Sequence, residues 1–166
     1  MNFPILSSLI LLPTVGALFL FFTKNKDGNN LTAKYVSLFT TIVNFLISIY
    51  LWIYFDQSTS NFQFIEERQW IDGFINYKVG IDGISILFVI LTTFITPLCI
   101  ISVNNSVKTR LRDFLIAILI MESFMIGVFC ALDLVVFYLF FEAGLIPMFL
   151  IIGIWGGPKR VYSAFK

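Results

Sequence analysis

The fold is decided by residues 114–155, which read FLIAILIMESFMIGVFCALDLVVFYLFFEAGLIPMFLIIGIW. Glu122, Asp133 and Glu142 are the only charged residues in this apolar run. A single helix of this length would measure ~63 Å, about twice the ~30 Å thickness of a bilayer's hydrocarbon core. We therefore predict two membrane-spanning helices that reverse direction near Asp133, an outer-face turn residue to which we assign no chemistry. Because no glycine or proline marks this turn, four crossings are the alternative to five.

The composition of the whole chain is that of a membrane protein. Hydrophobic residues make up 58% of the 166 residues and charged residues 13%, about half the ~25% of a soluble domain. The net charge of +1 offers no electrostatic basis for binding nucleic acid. Lipid provides no partner for bare peptide groups, so apolar stretches of this length are expected to be helices.

We predict an all-α transmembrane fold with five spanning helices in a single membrane domain, residues 1–166. The predicted spans are residues 3–22, 35–55, 84–103, 114–132 and 134–155. An outer loop, residues 56–83, contains aromatic residues among charges and is expected to lie at the membrane interface.

Orientation is predicted from lysine and arginine, which accumulate in short loops on the inner side of a membrane. Nine of the eleven basic residues fall in two loops and the carboxyl-terminal tail, all on one side if there are five helices. The opposite side has only Arg68 and Lys78. We therefore expect the amino terminus on the outer side, in the intermembrane space or periplasm. No cleaved signal or import peptide is evident, so the chain is expected to insert as made.

Two acidic residues inside the predicted spans are the candidate functional groups. Glu122 and Glu142 lie near the middle of their helices, and an antiparallel hairpin would hold them at similar depth. Intramembrane acids usually mark an ion pathway, a proton relay or an ion pair. No lysine, arginine or histidine lies inside the five spans, so a deep cationic partner must come from another chain. The alternative is that both acids are structural and neutral, or locked in a permanent pair.

Other side chains are assigned to packing. The second span carries polar residues at helical spacing on one face, which suits interhelical hydrogen bonding or a hydrated lining. These residues are Ser37, Thr41, Asn44 and Ser48. Cys99 and Cys130 fit neither a metal site nor a redox pair. There is no histidine, phosphate-binding loop or nucleophile motif, so no metal or cofactor site is expected.

Three blocks of sequence resemble NADH:ubiquinone oxidoreductase subunit 4, an antiporter-like membrane subunit of respiratory complex I. They are Gly80-Ile81-Asp82-Gly83-Ile84-Ser85, Phe129-Cys130-Ala131-Leu132-Asp133-Leu134, and Phe140-Phe141-Glu142-Ala143-Gly144-Leu145-Ile146-Pro147-Met148-Phe149 followed by Trp155-Gly156. The resemblance covers nearly the whole chain and is strongest over residues 79–157.

The resemblance implies a role in proton translocation. In such subunits the acid matched by Glu142 pairs with a lysine on a later helix, and the acid matched by Glu122 joins a charged axis at the membrane centre. Cofactors are expected on other subunits only: NAD, FMN, iron-sulfur clusters and ubiquinone. The chain would act as a subunit of an NADH:ubiquinone reductase that translocates protons, without redox chemistry of its own.

The resemblance also implies an incomplete module, because relatives have about fourteen helices in two inverted repeats. We expect this chain to be the amino-terminal part only, with a second chain supplying the remaining helices and the pairing lysine. The gene is then divided, or the sequence is a fragment. Other complex I membrane subunits and lipid are the further expected partners.

The expected location is the mitochondrial inner membrane, with the chain encoded in the organelle, and a bacterial plasma membrane is the alternative. Two other functional classes stay open. One is a subunit of a monovalent cation/proton antiporter, and the other is a structural membrane scaffold without transport.

Overall fold

A computed structural model describes residues 4–23, 31–71, 75–103, 107, 110–157 and 160–165. In chain order its elements are α1 (Ile5–Phe22), α2 (Leu31–Tyr54), β1 (Gln63–Ile71), β2 (Ile75–Ile81), α3 (Ser85–Ser102), α4 (Leu111–Cys130), α5 (Leu134–Trp155) and α6 (Arg160–Phe165).

The five long helices, α1 to α5, are each long and apolar enough to cross a membrane. This agrees with the predicted number of spans. The helix α2 begins at Leu31, four residues before the predicted start at residue 35, and its first turn includes the polar residues Thr32 and Lys34.

The chain reverses between α4 and α5, as the length of the apolar run predicted. The helix α4 ends at Cys130 and α5 begins at Leu134. Asp133 is the N-cap of α5, and its Oδ1 accepts hydrogen bonds from the backbone N–H groups of Val135 at 2.8 Å and Val136 at 3.3 Å. A carboxylate that caps a helix in this way marks its start without glycine or proline.

The helix α4 is the centre of the bundle. It packs against α1, α2, α3 and α5, while α1 also packs on α2, and α2 on α3. Half of the α4 span is buried (50%), against 11% of the α5 span. Much of the surface of α5 is therefore uncovered in this chain.

The core consists of two apolar clusters at opposite ends of the bundle. The hairpin-end cluster comprises Leu6, Leu9, Ile10, Leu51, Val79, Ile81, Ile86, Val89, Ile126 and Cys130. The loop-end cluster comprises Ala17, Leu20, Ala33, Ile100, Leu115, Ile118 and Leu119. On α2, α3 and α4, the residues between these two clusters include buried polar side chains.

The outer loop contains a β-hairpin, which the all-α prediction did not include. Strands β1 and β2 pair antiparallel, with Glu67 opposite Lys78 and their side chains in an ion pair at 3.1 Å. The sequence of β2, INYKVGI, places apolar residues at every second position. That alternation is typical of a strand, so the signal was present in the loop.

The hairpin is anchored to both α1 and the turn between α4 and α5. Glu66 of β1 accepts hydrogen bonds from the N–H groups of Leu6 (2.8 Å) and Ser7 (3.1 Å) at the start of α1, and the hydroxyl of Ser7 donates to the same carboxylate. The N–H of Leu132 donates to the carbonyl of Lys78 at 3.0 Å. The start of α1 and the α4–α5 turn therefore lie at the same end of the bundle.

Candidate functional site

A polar layer separates the two apolar clusters in the middle of the bundle. We define it as seven buried polar side chains from α2, α3 and α4: Thr41, Asn44, Ser48, Thr93, Thr96, Glu122 and Ser123. The predicted polar face of α2 contributes three of them and points toward α3 and α4. Of the two interpretations of that face, the structure supports hydrogen bonding between helices.

Glu122 is the charged member of the polar layer. Its side chain is 2% exposed, and its Oε1 accepts a hydrogen bond of 3.0 Å from Nδ2 of Asn44, which is fully buried. Among the described residues, nothing donates a hydrogen bond to the other carboxyl oxygen, Oε2, or to the amide oxygen of Asn44. Asn44 is thus the direct partner of Glu122, a pairing that the sequence did not single out.

Two further hydrogen bonds join helices within the polar layer. The hydroxyls of Ser48 on α2 and Thr93 on α3 lie 2.7 Å apart. The hydroxyl of Ser123 donates to the carbonyl of Ile10 on α1 at 2.5 Å. These bonds tie α2 to α3 and α4 to α1 at the depth of Glu122.

Glu142 has a different environment, because its side chain is exposed on α5. The phenol of Tyr138, one turn earlier on the same helix, interacts with its carboxylate. The face of α5 that contacts α4 is marked by Phe140, whose ring touches Gly127 and Phe124 of α4. Two residues correspond to about 200° around a helix, so Glu142 faces away from α4.

The two acids lie at the same distance from the turn but on different sides of the bundle. Glu122 precedes the end of α4 by eight residues and Glu142 follows the start of α5 by eight, a rise of ~12 Å in each case. Glu122 points toward α2, whereas Glu142 is on the uncovered face of α5. The structure brings Glu122 together with Asn44 and does not bring the two acids together.

The basic side chains of the described helices lie away from both acids. Arg112, in the first turn of α4, pairs with Asp113 at 3.2 Å and donates to the carbonyl of Thr23 at 2.7 Å. Lys34 lies in the first turn of α2. Arg160, at the start of α6, donates to the carbonyl of Ile154 at 2.9 Å. None of these three residues has a described ion pair or hydrogen bond with Glu122 or Glu142.

Outside the spans, Asp82 shows a clear electrostatic effect. The backbone N–H of Ser85 donates to its Oδ1 at 2.7 Å and lowers the pKa of this carboxyl below its ordinary value. In return, the hydroxyl of Ser85 accepts from the N–H of Asp82 at 2.8 Å. This reciprocal pair caps the start of α3 and fixes it to the end of β2.

Five helices that are each long and apolar enough to cross a membrane, two of them with an acid inside the span, define the class of polytopic membrane proteins. Residues 131–166 match the family model described as NADH:quinone oxidoreductase/Mrp antiporter, TM. That match contains Glu142 and begins just beyond the end of α4.

Longer comparisons extend the relationship over nearly the whole chain. NADH-quinone oxidoreductase subunit M of Rhodobacter capsulatus is 54% identical over 98% of this chain and 32% of its own length. NADH-ubiquinone oxidoreductase chain 4 of Marchantia polymorpha is 47% identical over 96% of this chain and 32% of its own length. Subunit M of Rickettsia prowazekii is 43% identical over 100% of this chain and 34% of its own length.

The chain is therefore a homologue of the subunit M and chain 4 proteins of NADH-quinone oxidoreductases, as the resemblance of its sequence blocks indicated. It spans about a third of the length of the curated relatives it matches.

Proposed function

We propose that the chain is part of the proton-translocating membrane arm of an NADH:ubiquinone oxidoreductase, with Glu142 as the switchable proton carrier. The observation that carries this proposal is an acidic side chain in the middle of an apolar helix, on a face that the other four long helices leave uncovered. Homology to subunit M and chain 4 supports the choice of enzyme.

The position of Glu142 allows its proton to be controlled by a neighbour. An ionised carboxylate at the centre of a bilayer is energetically costly, so purely apolar surroundings favour the neutral acid there. A cation that approaches within ~4 Å stabilises the ionised form and releases the proton. When the cation withdraws, the carboxylate takes up a proton again.

The proposed cation is a lysine on helices that cover the exposed face of α5. These helices belong to the part of the assembly that this chain does not span, and we assign them to a second chain. The relatives are about three times as long as this chain, which leaves ample length for such helices. Other membrane subunits of the same enzyme and lipid complete the surroundings.

Glu122 is proposed as a second proton-carrying residue. It lies at the same depth as Glu142 but is separated from it by the contact of α4 with α5, where Phe124 and Phe140 pack. Direct exchange of a proton between the two carboxyls is therefore not part of the proposal. A lateral path from Glu122 would run through the polar layer on the α2 side.

NAD, FMN, iron-sulfur clusters and ubiquinone are placed on other subunits, and this chain contributes proton transfer. The membrane is the mitochondrial inner membrane, with the amino terminus in the intermembrane space, and the bacterial plasma membrane is the alternative. Relatives from both plants and bacteria are compatible with either host.

The experiment is to replace Glu142 in the complete enzyme and to measure protons pumped and NADH oxidised in sealed vesicles. Glu142→Gln is expected to lower proton pumping at least tenfold while the assembly stays intact on native gels. Glu142→Asp retains a titratable group and should keep partial pumping. Glu67→Gln, at an exposed acid of the hairpin, is the matched control and should leave pumping unchanged.

A cation/proton antiporter is the second candidate, because the matching family model also covers Mrp antiporters. Purification in mild detergent separates the two functions. The respiratory proposal predicts that a flavin-containing, NADH-oxidising arm is recovered with this chain. Recovery with sodium/proton exchange and without that arm would support the antiporter. A structural scaffold would tolerate Glu142→Leu without loss of either activity.

A further inference from the structure

Asn44 and Glu122 leave two buried oxygens in need of a hydrogen-bond donor. The amide nitrogen of Asn44 donates to Oε1 of Glu122 at 3.0 Å, and both side chains are at least 98% buried. Oε2 of Glu122 and Oδ1 of Asn44 receive no hydrogen bond from the described residues. A buried polar atom without a hydrogen-bond partner destabilises the fold, and more so when it is charged.

The neighbouring hydroxyl groups of α2 and α4 do not supply that donor. Thr41, almost one turn before Asn44, donates to the carbonyl of Ser37 at 3.0 Å. Ser48, about one turn after Asn44, is bonded to the carbonyl of Phe45 and to the hydroxyl of Thr93, both at 2.7 Å. Ser123, next to Glu122, is committed to the carbonyl of Ile10.

Charged groups on the surrounding helices do not supply it either. The described part of α1 has no titratable side chain, and that of α3 has only the exposed Cys99. Lys34 on α2 and Arg112 on α4 are each ten residues from the pair along their helices, ~15 Å away. On α4, Asp113 pairs with Arg112.

The other titratable groups of these helices lie elsewhere. Cys130 lies at the hairpin end of α4. On α2, Tyr50 and Tyr54 lie near the end of the helix and contact each other, and Tyr35 lies near its start. On α5, Tyr138 and Glu142 interact with each other on an exposed surface. No described cation therefore balances an ionised Glu122.

We propose that Asn44 is the positioning residue that holds Glu122 as a neutral carboxylic acid. In this pair the amide N–H donates to one carboxyl oxygen, and the carboxyl O–H donates to the amide oxygen. A single proton on Glu122 thereby satisfies both orphaned oxygens and removes an unbalanced charge from the core.

The use of this proton in pumping rests on the proposed function. The protonation of Glu122 itself does not depend on that function. In the pumping enzyme the pair holds this proton within the polar layer. This deepens the proposal for Glu122, because it names the residue that positions the protonated acid.

Infrared difference spectroscopy of the complete enzyme tests the pair. At neutral pH, Glu122→Gln is expected to remove one carboxylic-acid C=O band that shifts in heavy water. Asn44→Leu should move that band to higher frequency, because the carbonyl loses its donor. Ser48→Ala, in the same layer but without contact to Glu122, is the matched control and should leave the band in place.

An exchange of the two residues serves as the rescue. The double variant Asn44→Asp with Glu122→Gln puts the acid on α2 and the amide on α4, and a hydrogen-bonded acid band should return. It also covers the case in which Asn44→Leu fails to assemble. The proposal would be overturned if Glu122→Gln removed carboxylate bands instead of an acid band. It would also be overturned if the double variant assembled but showed no acid band. Pumping is measured in parallel, so a normal Glu142→Gln enzyme would reject the proposed function alone.

Discussion

At the scale of single residues, chemistry is set by what each side chain faces. Glu122 and Glu142 are identical in type and equal in distance from the turn, yet one is bonded to Asn44 and the other lies on an open helix face. Depth in the membrane follows from counting residues, so it was predicted. The facing direction depends on how α4 and α5 pack, and counting alone does not determine it.

The glycine at position 127 is one residue on which that packing depends. A Cβ atom there would lie 2.7 Å from ring atoms of Phe140, closer than side chains allow. We expect Gly127→Ala to destabilise the α4–α5 contact by ~1–3 kcal/mol and to lower the melting temperature of the purified enzyme.

Gly144→Ala is the matched control, because its Cβ would be 3.7 Å from Phe124, an ordinary contact. Phe140→Leu in the Gly127→Ala background should recover part of the lost stability by making room. If both single alanine variants melted at the same temperature, Gly127 and Phe140 would not be in the close contact described.

At the scale of elements, the hairpin connects helix ends that are distant in sequence. The sequence predicts only an interfacial loop there, because aromatic and charged residues are mixed along it, although β2 alternates in a strand-like way. The hairpin's contact with α1 through Glu66 joins residues about sixty positions apart. Local patterns do not reveal such a contact.

Removing the charge of Glu66 tests the anchor on α1. Glu66→Gln keeps the size of the side chain but weakens its bonds to the N–H groups of Leu6 and Ser7. We expect faster hydrogen exchange of those two amides, by about fivefold or more. Glu67→Gln changes an exposed acid of the same strand and should leave them unchanged; equal acceleration in both variants would contradict the anchor.

The cap of α3 predicts a pH dependence. The pKa of Asp82 is lowered by the Ser85 N–H, so its carboxylate stabilises the folded state above the unfolded pKa of ~3.9. That contribution is lost as the pH falls through the lowered folded pKa. Asn keeps an acceptor oxygen but not the charge, so Asp82→Asn should cost ~1 kcal/mol at neutral pH, the difference between a charged and a neutral acceptor, and less in acid.

Stability of wild type and Asp82→Asn, measured across the acid range by chemical denaturation, checks the sign. The difference between the two proteins should shrink as the pH falls. A difference that stays constant, or grows in acid, would contradict the assigned cap.

At the scale of the whole molecule, the helices α1 to α4 enclose a polar layer, and α5 presents an acid outward. The number of helices could be predicted because a spanning helix needs ~20 apolar residues, and the stretches have that length. The pairing of Asn44 with Glu122 could be predicted only in part: the polar face of α2 was visible, but its partner is 78 positions away. The orientation in the membrane stays a prediction from the basic residues.

The number of protons pumped per NADH oxidised, compared between complete enzymes with Glu142→Gln and with Glu67→Gln, decides whether Glu142 is the switchable proton carrier. If it is, pumping falls at least tenfold in the first variant and stays normal in the second. Normal pumping together with normal NADH oxidation in the Glu142→Gln enzyme would rule out this role.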